Sequence, residues 1–401
     1  MASNANGASN HAQKNALART KRWWWFGLLT KSVFVTCVAV YVATELTGLD
    51  ALIHTWRRLP YSAHHLLATY PLVDAHADVP MAIAEKLAGD VSKFKLNTSA
   101  LGTHVDMPRM RAGRVASMVM AAYVPCGNAS IKETHAMMQL VRDIADADDE
   151  NVVIAKTASD VRLAHATRRV ALVMGVEGLH AFEDETRTPV EESIRNARRL
   201  GARVITLNHN CHTAVTDSCC ADAQPAKSDG GDGSRGLHRP EVLLLLNDLG
   251  LVVDLSHASV AAAADVLRLS RAPVIFSHSG AYELCEHPRN VPSNLLPLVR
   301  ANGGLVMVPF HPPFLCGDSV LAVVEHISFL ARHLGIRHVG LGSDYDGIPK
   351  GVRGLHTGVD AYPVLVDALL ERFSPSDVAL VIGGNFLRVW DNVLRQASTA
   401  V

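Results

Sequence analysis

The 401-residue chain lacks a strong charge of either sign. Lys and Arg total 38 against 39 Asp and Glu, giving a net charge of −1 and a pI near 7.1. It therefore has neither a field to draw in nucleic acid nor an acidic tail for a cationic partner. No glycine-rich phosphate loop follows the first β-rich run, which argues against a dinucleotide-binding sheet. The C-terminal VLRQASTAV has no hydrophobic tail of the kind that signals a lipid anchor. Nor does a clear small-residue cleavage site follow the first apolar stretch, so a cleaved signal peptide is the weaker reading of that stretch. What the chain has is apolar mass. Hydrophobic residues make up 48% and charged residues 19%, enough for a sizeable core in one large domain or two ordinary ones.

Residues 1–22 form a polar tail that ends in Arg19, Lys21 and Arg22. Residues 23–49 (WWWFGLLTKSVFVTCVAVYVATELTGL) are apolar apart from Lys31, Glu45 and a few hydroxyls. About 20 apolar residues span a bilayer as a helix. The tryptophans suit the interfacial belt, and the basic cluster belongs on the cytoplasmic side. A buried soluble helix fits less well, because Trp23, Trp24 and Trp25 cannot share one helix face. The expectation is a type II single-pass membrane anchor, a linker at 50–69, and a barrel domain at 70–401 on the lumenal or extracellular side. Sequons at Asn97 (Asn97-Thr98-Ser99) and Asn128 (Asn128-Ala129-Ser130) agree with that side. So do the cysteines beyond the anchor: Cys126, Cys211, Cys219, Cys220, Cys285 and Cys316. Disulfides suit such a compartment, although spacing alone fixes no connectivity. Cys37 reads as an inert apolar residue within the anchor.

From residue 70 onward, short apolar runs alternate with helical patterns. The runs are 72–78, 115–124, 170–178, 203–209, 251–257, 273–279, 304–310 and 338–347. Near-continuous apolar strands between helices predict a parallel sheet covered on both faces. Eight of them predict a closed (β/α)8 barrel of the TIM type, with a doubly wound open sheet as the structural alternative. The polar residues at the strand ends are His76 and Asp78, Glu177, His209, His257, His278, and Asp344 with Asp346. A barrel gathers such positions into one mouth at the carboxyl ends of its strands. Any single one has an ordinary structural use, as a cap or a carbonyl partner. As a set they point to a site.

Imidazoles and carboxylates are the donors that zinc and similar divalent ions take. In a strand, His76 and Asp78 at i and i+2 share a face and can grip one ion. His257 and His278 come from neighbouring strands and can hold a second. Glu177, between them in strand order, can bridge both. Two ions about 3.5–4 Å apart can share a hydroxide and lower its pKa towards neutrality. Their charge would offset the burial of the carboxylates in LVDAHADVP (72–80), where Asp74 reads first as a structural residue and second as a partner behind the ligands.

At this point the chain resembles the membrane dipeptidase (renal dipeptidase) family of zinc peptidases over roughly residues 70–395. The resemblance rests on DAHADVP, HVDMPRMRAG (104–113), GVEGLH (175–180), LNHNC (207–211), VVDLSHAS (252–259), PVIFSHSGAY (273–282), HPRNVP (287–292), GLGSDYDG (340–347) and GGNFLRVW (383–390), all in order. It implies a (β/α)8 barrel with two Zn²⁺ ions. His76, Asp78 and Glu177 would hold one ion, and Glu177, His257 and His278 the other. His209 would stabilise the tetrahedral intermediate beside the scissile carbonyl. Arg289 would hold the substrate carboxylate, a task suited to its fork of donors. Asp344 would carry the proton between water and leaving amine. The resemblance also implies the pairs Cys126–Cys211 and Cys285–Cys316, leaving Cys219 and Cys220 outside the scheme; the family commonly dimerises, which makes a homodimer a candidate assembly and leaves oligomeric state open. The expected reaction is hydrolysis of dipeptides, with Cys-Gly adducts among the candidate substrates.

The chain departs from the family pattern at Ala77, Leu179 and Met81, and in the loop NCHTAVTDS, which lacks a Trp. These positions bear on side-chain preference rather than on the ligand set. The rivals are a binuclear amidohydrolase acting on N-acyl amino acids or lactams, and a membrane-tethered binding protein without catalysis. No strand end carries the Lys that would bridge ions in a phosphotriesterase-type site, and no proposed ligand is missing.

Overall fold

The computed structural model describes residues 62–127, 130–183, 188–221 and 236–398. The tail at 1–22, the anchor expected at 23–49, most of the linker and Asn128 lie outside those residues. Among the described residues, no helix is long and apolar enough to cross a membrane.

Nine strands form one sheet, and every pairing is parallel. They are β1 (Leu72–Ala77), β2 (Val115–Tyr123), β3 (Val152–Ile154), β4 (Val170–Glu177), β5 (Ala202–Thr206), β6 (Val252–Asp254), β7 (Ile275–Phe276), β8 (Leu305–Val308) and β9 (Val339–Leu341). Their order is β1-β2-β4-β5-β6-β7-β8-β9, with β3 beside β4. The ring nearly closes between its first and last strands. Ala77 bridges Tyr345, Asp78 N donates to Tyr345 O at 2.8 Å, and Asp344 N donates to His76 O at 3.1 Å. The eight strands on this path coincide with the eight predicted runs. β3 is an addition that three residues of sequence do not announce.

Burial explains the apolar character of the strands. Every residue of β1 and β4 is buried, as a parallel sheet covered on both faces requires. Alternate residues of β4 join different apolar clusters. Ala171 and Val173 pack with Val73, Val119, Val204 and Met307, while Leu172, Met174 and Val176 belong to the second cluster. That is the period of two that a strand imposes. Capping residues start the covering helices: Thr157 and Asp160 form a capping box at Ala158–Ala166, and Ser130 accepts from Glu133 N at Ile131–Ala147. The helix Ala63–Thr69 begins before residue 70, with Ser62 as its cap and Ala63 N bonded to Asp367, so the folded unit starts ahead of the expected boundary.

The strands are shorter than the apolar runs suggested. β6 ends three residues before His257, and β7 ends two before His278. The site therefore stands on turns just beyond the strands. Gly342 makes one such turn feasible, since a Cβ there would collide with Ser277 O across the ring. The sulfur pattern holds for Cys126–Cys211 and Cys285–Cys316. Cys219 and Cys220, which the resemblance left outside its scheme, are bonded to each other. Their segment is held beside the barrel where Ser218 bridges Ala258.

Candidate metal centre

His76 comes from the end of β1 and is 2% exposed. Asp78 does not share that strand. It precedes the helix Val79–Lys86 at the cap position, where an Asp ordinarily bonds the helix N–H groups. Here its side chain makes no such bond, and Oδ2 lies 3.4 Å from His76 Nε2. A turn, rather than the pleat, brings the two together. Gly347 lies against this carboxylate, and a Cβ there would overlap Asp78 Oδ2.

Glu177, the last residue of β4, occupies the middle. Its Oε1 is 3.5 Å from His76 Nε2, 3.3 Å from His257 Nε2 and 3.6 Å from His278 Nε2. His257 sits in the left-handed region at φ 68°, a conformation that non-glycine residues adopt at a cost. His257 Nε2 and His278 Nε2 are 3.2 Å apart. Their other ring nitrogens have partners: His257 Nδ1 lies 2.9 Å from Asn210 Oδ1, and His278 Nδ1 lies 2.8 Å from Ser277 Oγ.

These residues fit a metal-binding role, with His76, His278 and Asp344 forming one group of close ligand atoms. The ligand atoms of His76, Asp78 and Glu177 lie within 4.8 Å of one another, and so do those of Glu177, His257 and His278. His76 Nε2 and Asp78 Oδ1 are buried without a hydrogen-bond partner, which is uncommon for buried polar atoms. The electrostatics call for positive charge. Burial raises the Glu177 and Asp344 carboxyls well above their ordinary range. Burial alone would depress the His76 imidazole, but Glu177, Asp78 and Asp344 outweigh it and push it up to about 10. Burial also holds His257 and His278 neutral, the form that can ligate. Cys126, His180 and Cys211 also cluster, but their two sulfurs are joined and supply no thiolate.

The cluster forms the floor of a cavity of about 860 Å³, with Met81, Tyr123, His209, Arg289 and Phe314 on its walls. His209 stands beside the ligand group, its ring 4.4 Å from that of His257 and 4.8 Å from that of Tyr123. Burial, then the nearby His180 and Arg289, lower it to about 3, so the ring is neutral at pH 7. Arg289 is 5% exposed. Its Nη2 donates to His278 O at 3.2 Å, its Nε has no partner, and the guanidinium lies 5.4 Å over the Phe314 ring. Asp344 Oδ1 is 3.9 Å from His76 Nε2. Asp346 is not brought in, and its carboxylate accepts from His104 N at 2.7 Å. Asp344 and Asp346 have φ of 65° and 67°, so the strand rule that would place both on one face does not apply.

Asp74 is fully buried and bonds backbone and hydroxyl groups, with no contact to a ligand ring. Asn97 is exposed, outside the cavity, and its Oδ1 accepts from Ser99 N. Asn210 and Ser277, which hold the outer nitrogens of two histidines, escaped the sequence reading. Both are direct sequence neighbours of a candidate residue, and that adjacency was the available signal.

A nearly closed eight-strand parallel barrel, with imidazoles and carboxylates converging beyond its strands, is the class of molecule that fold and site define. The family model described as membrane dipeptidase (peptidase family M19) matches residues 61–400, and the chain belongs to that family. It is 33% identical over 346 residues to dipeptidase verJ of Clonostachys rogersoniana, spanning 82% of this chain and 85% of that protein. It is 34% identical over 348 residues to dipeptidase aclJ of Aspergillus oryzae, spanning 82% and 79%. Among solved structures, the probable dipeptidase PvdM from Pseudomonas aeruginosa superposes with a TM-score of 0.73 at 20% identity, over 84% of this chain and 98% of that one. A metallopeptidase from Rhodobacter sphaeroides, liganded with a phosphinate mimic of the dipeptide L-Ala-D-Ala, gives 0.71 at 23% identity, over 81% and 99%. These two likenesses bear on the fold.

Proposed function

We propose that this member of the dipeptidase family is a zinc enzyme that hydrolyses dipeptides with two ions per chain. The observation that carries the proposal is the approach of three histidine nitrogens to one oxygen of Glu177, with Asp78 beside them, on the floor of a cavity walled by Arg289 and His209. His76, Asp78 and Glu177 would hold one ion, and Glu177, His257 and His278 the other. When bound, such a pair supplies Lewis acidity at a carbonyl and an acidified water.

The protein's own groups do the rest. Arg289, with Nε unpartnered, anchors the free carboxylate of the substrate by charge-assisted bonds. That anchor measures a fixed distance to the scissile bond and selects dipeptides over longer chains. His209, neutral in its buried setting, offers an N–H to the carbonyl oxygen as negative charge develops there. Asp344, whose carboxyl burial makes unusually basic, takes the proton from water and returns it to the leaving amine. The three disulfides support residence of the barrel outside the cytosol, as the expected type II anchor requires.

The test uses the full chain loaded with zinc and offered dipeptides, a tripeptide and an N-acyl amino acid. Release of free amino acids from the dipeptides alone, abolished by a chelator and restored by zinc, is the expected result. Absence of metal-dependent cleavage across a broad dipeptide panel would refute the reading.

A further inference from the structure

Asp254, the last residue of β6, does not line the cavity and is fully buried, yet its hydrogen bonds lead to the floor. Oδ1 accepts from Ser256 N at 3.0 Å and from Ser277 N at 2.8 Å. Oδ2 accepts from Thr206 Oγ1 at 2.7 Å and from Ser277 Oγ at 2.6 Å. Ser277 Oγ in turn lies 2.8 Å from His278 Nδ1.

Proton counting orders this chain. A serine hydroxyl has one hydrogen, and an ionised carboxylate only accepts. The Ser277 hydrogen therefore points to Asp254 Oδ2, leaving Oγ lone pairs facing His278. His278 Nδ1 must then carry the ring hydrogen, and Nε2 is left bare. Nε2 is the atom that faces Glu177 Oε1 and His257 Nε2. The backbone N–H of Ser277 is held by the other oxygen of the same carboxylate, so Asp254 grips the residue at both its N–H and its hydroxyl. His257 is set in the same sense by a single contact, Nδ1 to Asn210 Oδ1.

We infer that Asp254 and Ser277 are positioning residues that fix the tautomer and ring orientation of His278, so that its Nε2 lone pair is aimed at the cation site before an ion arrives. The inference rests on the metal reading of the site given above. It assigns a function to two residues that never touch substrate. Partners that orient a ligand histidine typically change metal affinity by about 10–100-fold when removed.

The experiment compares zinc retention by the full-length protein, Ser277→Ala and Ser256→Ala in competition with graded chelator. Ser256 is the matched control. It is equally buried, its Oγ accepts from His278 N at 3.0 Å and lies 3.3 Å from Ser277 Oγ, but it makes no contact with the His278 ring. Ser277→Ala should release zinc about 10–100-fold more readily. Ser256→Ala should shift by far less, and the metal-free melting temperatures of the two variants should be similar. Saturating zinc should restore most of kcat in Ser277→Ala, which a misfolded barrel would not allow. Unchanged zinc affinity in Ser277→Ala, or an equal loss in both variants, would overturn the relay and leave the dipeptidase reading standing. A wild-type chain that retains no zinc would instead strike the dipeptidase reading and take the relay with it.

Discussion

Asp74 and Asp254 are two versions of one device. Each is fully buried, Asp74 within β1 and Asp254 at the end of β6, and each accepts the N–H two residues ahead: His76 for Asp74 and Ser256 for Asp254. Each also takes both the N–H and the hydroxyl of a serine beyond a neighbouring strand, Ser343 for Asp74 and Ser277 for Asp254. The difference lies in the onward contact of each serine. Ser277 reaches a histidine ring, whereas Ser343 Oγ meets backbone, accepting from Tyr345 N and lying 3.3 Å from His76 O. One nest aims a side chain, and the other holds the seam where β1 and β9 meet through a single bridge. The same hydrogen-bond pattern thus serves geometry on one side of the barrel and closure on the other.

Glu177 lies between the two nests, and altering it should have the largest effect. Glu177→Gln should lower kcat/KM by about 10³-fold or more, the scale of several kcal/mol of lost metal-centred stabilisation. The metal-free protein should stay folded, since its buried carboxyl is already costly to ionise. A dipeptidase assay together with thermal melts checks both parts. Asp74→Asn comes next and should act on stability. An amide nitrogen in place of Oδ2 would leave Tyr362 OH without its acceptor and Ser343 Oγ with only the longer contact to His76 O, a loss of about 2–4 kcal/mol in urea unfolding. If zinc affinity fell while stability held, the contrast between the nests would fail. Tyr362→Phe sharpens the same point, removing one 2.6 Å bond to Asp74 at a cost of about 1–2 kcal/mol with zinc content unchanged.

The smallest effect lies away from both nests. His326 is buried, with Nδ1 accepting from Ala281 N and Nε2 donating to Leu315 O, an arrangement open only to the neutral ring. Burial lowers its pKa from 6.5. The unfolded chain therefore binds the proton first, and stability should fall as pH drops below about 6.5. Melting temperature against pH should lose part of that slope in His326→Gln.

Much of this was legible in the chain. Eight apolar runs announced eight strands, because burial on both faces leaves a strand no polar period. The residues that converge at the site could be read because they are the polar residues that interrupt such runs. Three things were not legible. Asp78 and Asp346 lie on turns whose dihedrals no alternation rule captures, so one joined its partner by another route and the other turned away. The Asp254–Ser277 link spans 23 residues, and nothing local in VVDLSH marks its target. The Cys219–Cys220 bond was not legible either, because spacing alone fixes no connectivity and the family scheme left both residues out.

The bond between Cys126 and Cys211 has a consequence of its own. It joins the loop after β2 to the loop after β5, and both cysteines line the cavity. β4, with Glu177 at its tip, runs between those strands. A covalent strap therefore arches over the strand that carries the central carboxylate. On that side the two cavity-lining loops are tied to each other, and the disulfide sets their separation there.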